Sequence, residues 1–268
     1  MAKKSPEEKW RAVLTGNARG HICWAPWMRR ISRAIPSDPR CKLCDTPFGR
    51  PGNVMRFIGF GPSRINRRIC SGCIHALQKK PGGAEVELTF LFADVRGSTS
   101  VAERMPAAGF SQLMARFYGV AAAAVDRRNG IVDKFVGDEV VALFIPGFAG
   151  VDHAADAIAA AEEIMQATAV MDDAISLGAG VHTGIAYVGN IGEGDAVDFT
   201  AVGDPVNIAA RLAAAAQAGE ILVSAAAAAT AGFGTSGLES RTLELRGRAE
   251  QVDAWVLTRQ PEELTTLA

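Results

Sequence analysis

Residues 85–95 read EVELTFLFADV, a run in which both alternating sets of positions are apolar or β-forming. Val86, Leu88, Phe90 and Phe92 fall on one face, and Thr89 and Leu91 stand between them on the other. Successive strand side chains point to opposite faces, so the pattern predicts a buried strand. The run ends on Asp94. A carboxylate at the end of a buried strand costs desolvation energy unless something compensates it, which makes this strand end the first candidate for chemistry.

The segments that follow set an order of elements. In "RGSTSVAERM", Gly97 supplies a turn, and Ser100 with Glu103 forms a capping box that predicts the start of a long alanine-rich helix to about Arg128. Glycine lets a ligand approach the backbone and free helix amides favour anions, so the stretch from Arg96 to Ser100, with Gly97, Ser98 and Thr99 at its centre, can cradle phosphate. A plain strand-turn-helix corner is the alternative. "GIVDKFV" and "EVVALFI", joined by Gly137 and Asp138, predict a two-residue hairpin with Asp138 at its tip. If the buried strand lies beside this hairpin, Asp94 and Asp138 approach each other. Two close carboxylates are costly unless they share a proton or a cation, so they suggest magnesium or manganese bound with a nucleoside triphosphate.

Further on, "VDHAADAIAAAEEIMQATAV" predicts a second helix, and the glycines of "ISLGAGVHTGIAYVGNIG" predict a bent hairpin. In "DFTAVGDPVNIAARLAAAA", Asp204 is a good N-cap with Pro205 at the first helical position. Asn207 and Arg211 are four apart and share a face of that helix, where an amide and a guanidinium can bind a sugar and a phosphate. Surface decoration is the alternative reading of that pair.

The 268 residues carry a net charge of -1, but unevenly: residues 1–80 hold 17 Lys+Arg against 4 Asp+Glu, and the remainder 11 against 25. The basic segment is expected to dock on the acidic remainder of its own chain or on an anionic partner such as nucleic acid or lipid headgroups. It also holds all five cysteines, and Cys41, Cys44, Cys70 and Cys73 form two C-x2-C pairs separated by 25 residues. Such knuckles present four thiolates to one zinc; an iron-sulfur cluster, also a four-cysteine centre, is the second possibility, and His21, Cys23 and His75 are substitute ligands. "SPEEKW" opens a helix with a Ser5–Glu8 capping box and Gly16 as its stop, and "WAPWMRRISRAI" has the spacing of a second. "KKPGG" reads as a linker, dividing the chain into a basic module over 1–83 and a second domain over 84–268. With about half the residues apolar, no apolar run long enough to span a bilayer and no apolar stretch after the first lysines, the expectation is a soluble, cytoplasmic protein.

Taken together and in this order, "FLFADVRGST", "KFVGDEVVALF" and "DFTAVGDPVNIAARL" resemble the signature segments of the class III adenylyl/guanylyl cyclase catalytic domain, and "LELRGRAEQVDAWVL" resembles its closing strands. The resemblance implies an α+β fold, a ferredoxin-like βαββαβ core, and a homodimer that converts a nucleoside triphosphate to the 3′,5′-cyclic monophosphate and pyrophosphate. It places two Mg2+ or Mn2+ ions on Asp94, Asp138 and the Val95 carbonyl, base reading on Lys134 and Thr200, ribose orientation on Asn207, and transition-state charge on Arg211. Metal residues come from one subunit and the other four from its partner. Lys134 and Thr200 suit ATP; Thr200 stands where some members have Asp, and Ser98 where many have Phe. Alternatives are a guanylate cyclase, a diguanylate cyclase faintly suggested by "VGDEV", and a zinc-ribbon nucleic-acid adaptor with a cyclase-like dimerisation domain.

Overall fold

A computed structural model of the chain describes residues 5–17, 34–37, 39–41, 43–50, 54, 56–57, 59–63, 69–171, 173, 175–193, 196–244 and 251–258. His21, Cys23 and most of "WAPWMRRISRAI", with its predicted helix, lie outside them. Elements are numbered in chain order among the described residues.

Strand β1 (Gly82–Val95) runs through the middle of the sheet, as its two apolar faces require. Its neighbours are β3 (Glu139–Phe144), which is hairpinned to β2 (Ile131–Val136), and β4 (Leu177–Glu193). The order β2-β3-β1-β4, all antiparallel, is that of a ferredoxin-like βαββαβ core. Beyond β4 follow β6 (Glu220–Ser224), β8 (Val252–Thr258) and β7 (Glu239–Leu243), while β5 (Ala196–Val202) returns on the far half of β4 as a hairpin arm. Among the described residues no helix is long and apolar enough to cross a membrane.

One face of the sheet is covered by α4 (Ala107–Arg127), α6 (His153–Ala169), which follows the short α5 (Pro146–Ala149) in the chain, and α8 (Ala225–Ala231). In α4, Leu113, Met114, Phe117, Ala121, Ala124 and Val125 recur at helical spacing and bury one stripe against Leu91, Ala93 and Val95 of β1. The opposite face of β1, with Leu88, Phe90 and Phe92, packs on α7 (Asp204–Ala215) and on the N-terminal residues: Trp10 and Leu14 of α1 (Pro6–Leu14), the four cysteines, and Leu77 of α2 (Ser71–Gln78). Each fully buried side chain of this size contributes about 1.5–3 kcal/mol.

α1 begins as expected: Ser5 Oγ accepts from the Glu8 amide (3.1 Å) and Glu8 accepts from the Ser5 amide (2.7 Å), and Gly16 turns left-handed just past its end. Elsewhere the local rules yield to stronger ones. The predicted long helix is broken into α3 (Ser98–Arg104) and α4, because Met105 precedes Pro106 and is pushed into the extended region. α3 starts after Gly97, so the Ser100–Glu103 box is not formed, and α7 starts after Gly203, so Asp204 is its first helical residue and not its cap. β4 is one continuous strand rather than a bent hairpin; its glycines serve close approach, and a Cβ at Gly180 would lie 2.3 Å from the Ala213 nitrogen of α7. Gly82 and Gly83, at the end of the predicted linker, are already paired in β1 with Asn190 and Gly189.

Candidate active site and cysteine centre

The pairing of β1 with β3 sets Asp94 opposite Glu139, and the carbonyl of Asp138 accepts from the Val95 amide (3.2 Å). Asp94, Asp138 and Glu139 therefore crowd the end of one strand pair, with buried Val95 among them. The hairpin tip turns at Gly137 (φ +63°) and is tied down by Tyr118 of α4, whose hydroxyl donates to the Gly137 carbonyl and whose ring stacks on Phe135 at 4.3 Å.

Burial raises the Asp94 carboxyl above its ordinary value, the Asp138 charge raises it further, and Arg96 and the Val95 amide partly offset this. The same causes, burial first and then Asp94 and Asp138 against Arg96, push Glu139 up to about 7. Glu139 was not identifiable as a member of this cluster from the sequence, since only strand register places it beside Asp94. Arg96 turns inward: it pairs with Asp94 (2.8 Å), donates to the Ala213 carbonyl, and leaves its Nε buried without a partner. Its side chain therefore departs from the predicted phosphate cradle. Gly97 (φ +70°) precedes α3, and Ser98 and Thr99 line an open cleft of about 600 Å³ together with Gly137 and Asp138.

Lys134 and Thr200 meet although their strands, β2 and β5, are separated in the sheet order by β3, β1 and β4. The β5 arm curls over the sheet face that carries Phe90, and Thr200 donates its hydroxyl hydrogen to Asp133 Oδ2 (2.9 Å). Lys134 Nζ lies 3.3 Å from the same oxygen. Sequence reasoning missed Asp133; the available signal was a carboxylate directly before Lys134 in an otherwise apolar run. Asn207 and Arg211 both project from α7, exposed and half-buried respectively, and neither side chain makes a hydrogen bond to the described residues.

The four cysteines are buried and not joined by disulfides, and their sulfurs all lie within 4.8 Å of one another. Cys41 and Cys44 sit on a turn closed by the Cys41 amide to the Thr46 carbonyl (2.8 Å) and the Asp45 amide to the Cys41 carbonyl (2.9 Å), with Asp45 at φ +60°. Cys70 caps α2, accepting from the Cys73 amide (3.3 Å), and its own amide donates to Cys41 Sγ (3.2 Å). The Cys41–Cys73 and Cys44–Cys70 sulfur separations are 3.9 and 3.6 Å. Four sulfurs about 2.3 Å from one tetrahedral ion stand about 3.8 Å apart, so the cradle has the dimensions of a single-ion site. Hydrogen bonding with Cys44 raises the Cys41 thiol, but contacts with Cys70 and Cys73 lower it more, and the net value is below the ordinary one. His75 is exposed and is not part of the cluster.

With this geometry in hand, the chain can be set beside known proteins. Residues 83–259 match the family model of the adenylate and guanylate cyclase catalytic domain, and the chain belongs to this family, the class III cyclases. It is 37% identical over 133 residues to an uncharacterized protein of Mycobacterium tuberculosis, covering 49% of this chain and 24% of that one. It is 33% identical over 132 residues to an adenylate cyclase of Anabaena cylindrica, covering 47% and 26%. The chain thus matches about a quarter of the length of these curated relatives. Among solved structures it is similar to the guanylyl cyclase Cya2 (TM-score 0.60, 26% identity, 68% of this chain and 98% of that one) and to the adenylyl cyclase CyaB from P. aeruginosa (TM-score 0.59, 26% identity, 67% and 97%). Catalytic domains of this family bind nucleotides, use divalent metals and function as dimers.

Proposed function

We propose that the protein is an adenylate cyclase, converting ATP to 3′,5′-cyclic AMP and pyrophosphate in a homodimer with two composite sites. The observation that carries this reading is the convergence of Lys134 and Thr200 on one carboxylate oxygen, a pairing suited to the adenine edge. In each site one subunit contributes Asp94, Asp138 and the Val95 carbonyl, and the other contributes Lys134, Thr200, Asn207 and Arg211.

Asp94 and Asp138 would hold two magnesium or manganese ions; the crowding of three carboxylates, with Asp94 and Glu139 both raised, fits a place where divalent charge is bound. Such ions, when bound, lower the pKa of the ribose 3′-hydroxyl and hold the triphosphate. The 3′-oxygen attacks the α-phosphorus, the bond from that phosphorus to the oxygen bridging to the β-phosphorus breaks and releases pyrophosphate, and the 3′-proton passes to solvent. Lys134 donates to adenine N1, and Thr200 accepts from the N6 amino group. Asn207 restricts the ribose so that attack is pre-aligned. Arg211 meets the charge that builds on the α-phosphate and on the leaving pyrophosphate, a contribution of about 3–4 kcal/mol for comparable donors. Gly97, Ser98 and Thr99 contact the phosphates through backbone amides and hydroxyls.

We take residues 1–83 as a regulatory module with one zinc ion on Cys41, Cys44, Cys70 and Cys73, and residues 84–268 as the catalytic domain. Zinc is favoured over an iron-sulfur cluster because the sulfur separations suit one ion. The test is to incubate the purified chain with ATP or GTP and manganese and to chromatograph the products. Cyclic AMP as the main product, absent in Asp94→Asn, supports the reading; cyclic GMP as the main product, no cyclic nucleotide, or undiminished activity in Asp94→Asn overturns it.

A further inference from the structure

A threonine hydroxyl both donates and accepts, so Thr200 alone distinguishes adenine from guanine poorly. In this chain its partner removes the ambiguity. The β2–β3 register jumps between Val132 and Lys134, leaving Asp133 as the extra residue of a bulge. Bulges re-aim side chains, and here the Asp133 carboxylate is turned inward until it is 4% exposed, while Lys134 beside it stays 43% exposed. Asp133 Oδ2 accepts from Thr200 Oγ1 at 2.9 Å and faces Lys134 Nζ at 3.3 Å. Oδ1 is buried without a partner, at the edge of a cavity of about 90 Å³ that Asp133 lines with Asp198, Phe199 and Gln78.

We propose that Asp133 is a positioning residue for base selection: by taking the hydroxyl hydrogen of Thr200, it leaves Thr200 only lone pairs to offer the base. This rests on the reading that Lys134 and Thr200 face the purine. An ionised carboxylate is acceptor-only, so the direction of the Thr200–Asp133 hydrogen bond is set by chemistry. Burial raises the Asp133 carboxyl, and the nearby Asp198 charge adds to this; the Thr200 hydrogen bond and the Lys134 ammonium both act to keep it ionised. Lys134 is in turn held as the donor beside it. The site therefore presents one donor and one acceptor. Adenine offers the complement, an acceptor at N1 and a donor at N6. Guanine offers the reverse, N1–H and O6, so both contacts fail together, and sites that leave buried polar groups unpaired reject the wrong ligand strongly.

The experiment compares kcat/KM for ATP and GTP in the full chain and in Asp133→Asn, Thr200→Val and the double variant. The amide of Asp133→Asn can donate to Thr200 and free its hydroxyl hydrogen for guanine O6. The ATP/GTP ratio should fall at least about tenfold, through better relative use of GTP, in a variant that still turns over ATP; a merely structural role would lower both substrates alike. In the Thr200→Val background the same change should leave the ratio unmoved. If Thr200→Val lowers the ratio and Asp133→Asn does not, the polarity role is overturned while the base reading stands. If Thr200→Val leaves the ratio unaltered, the base is read elsewhere and both fall. The unmodified protein offers a second measurement that requires no variant to fold: inosine triphosphate, which has the N1–H and O6 of guanine without its 2-amino group, should be as poor a substrate as GTP. Inosine triphosphate used as readily as ATP would overturn the proposal.

Discussion

The two faces of the sheet are built by different means. Helices α4, α6 and α8 cover one face, and in α4 and α6 the apolar positions recur at helical spacing, with alanine prominent among those of α6. The other face is covered by a short helix, a cysteine centre, α7 and a curled arm, joined across long sequence distances. Trp10 stacks on Phe199 of the β5 arm at 6.1 Å and donates to the Pro81 carbonyl (3.2 Å). Regular patterning thus serves the face from which Tyr118 holds the Gly137–Asp138 turn, and irregular long-range contacts serve the face where Thr200 meets Asp133. Such contacts bring together side chains from strands that are not neighbours in the sheet.

The irregular face depends most on its cysteines. Replacing Cys41 and Cys73 by serine, or stripping metal with a chelator, should remove the centre of the irregular cover and lower the thermal midpoint by more than about 10 °C, since structural zinc contributes up to roughly 10–16 kcal/mol in small domains. Elemental analysis of the untreated chain should give about one zinc per chain. An unchanged midpoint would mean that this face holds without its centre. Next in size, Phe90→Ala on the irregular face and Phe117→Ala on the helical face, both fully buried, should each cost about 3–5 kcal/mol in denaturant unfolding. Equal costs would show the two faces to be equally well packed, whereas a cost under about 1 kcal/mol for Phe90→Ala would mark its side as loosely closed.

A pair at the sheet edge provides the smallest effect. Arg241 grips Glu220 with two bonds, 2.9 and 3.1 Å, and Glu220→Gln should cost about 1–3 kcal/mol without touching either face. The Arg241 hydrogen bonds hold the Glu220 carboxyl below its usual 4.5. Folding therefore favours the ionised form: the stabilisation is complete above pH 4.5 and is lost as pH falls through the lower folded value. The difference in stability between the native chain and Glu220→Gln should narrow over that range.

What could be read beforehand follows the same division. The buried strand, the Gly137–Asp138 hairpin and the helix bearing Asn207 and Arg211 are written in local pattern, and pairing the first two brings Asp94 and Asp138 to one strand end. The meeting of β5 with β2 is not written locally, because no spacing within either strand reports a contact 67 residues away. The bulge that turns Asp133 inward left no turn residue to mark it, and the Ser100–Glu103 box was overruled because α3 already starts after Gly97. The glycines of β4 were legible as glycines, but only the position of α7 tells why a side chain at Gly180 is forbidden.

Asn190 makes one mechanical piece of two regions. Its amide group shares hydrogens among the carbonyls of Leu77, Gln78 and Lys80 at the end of α2, at 2.7, 2.9 and 2.6 Å. The next residue back along β4, Gly189, is the ladder partner of Thr200. A tilt of the helix that carries Cys73 would thus be passed, over a single peptide unit, to the strand against which Thr200 is aligned.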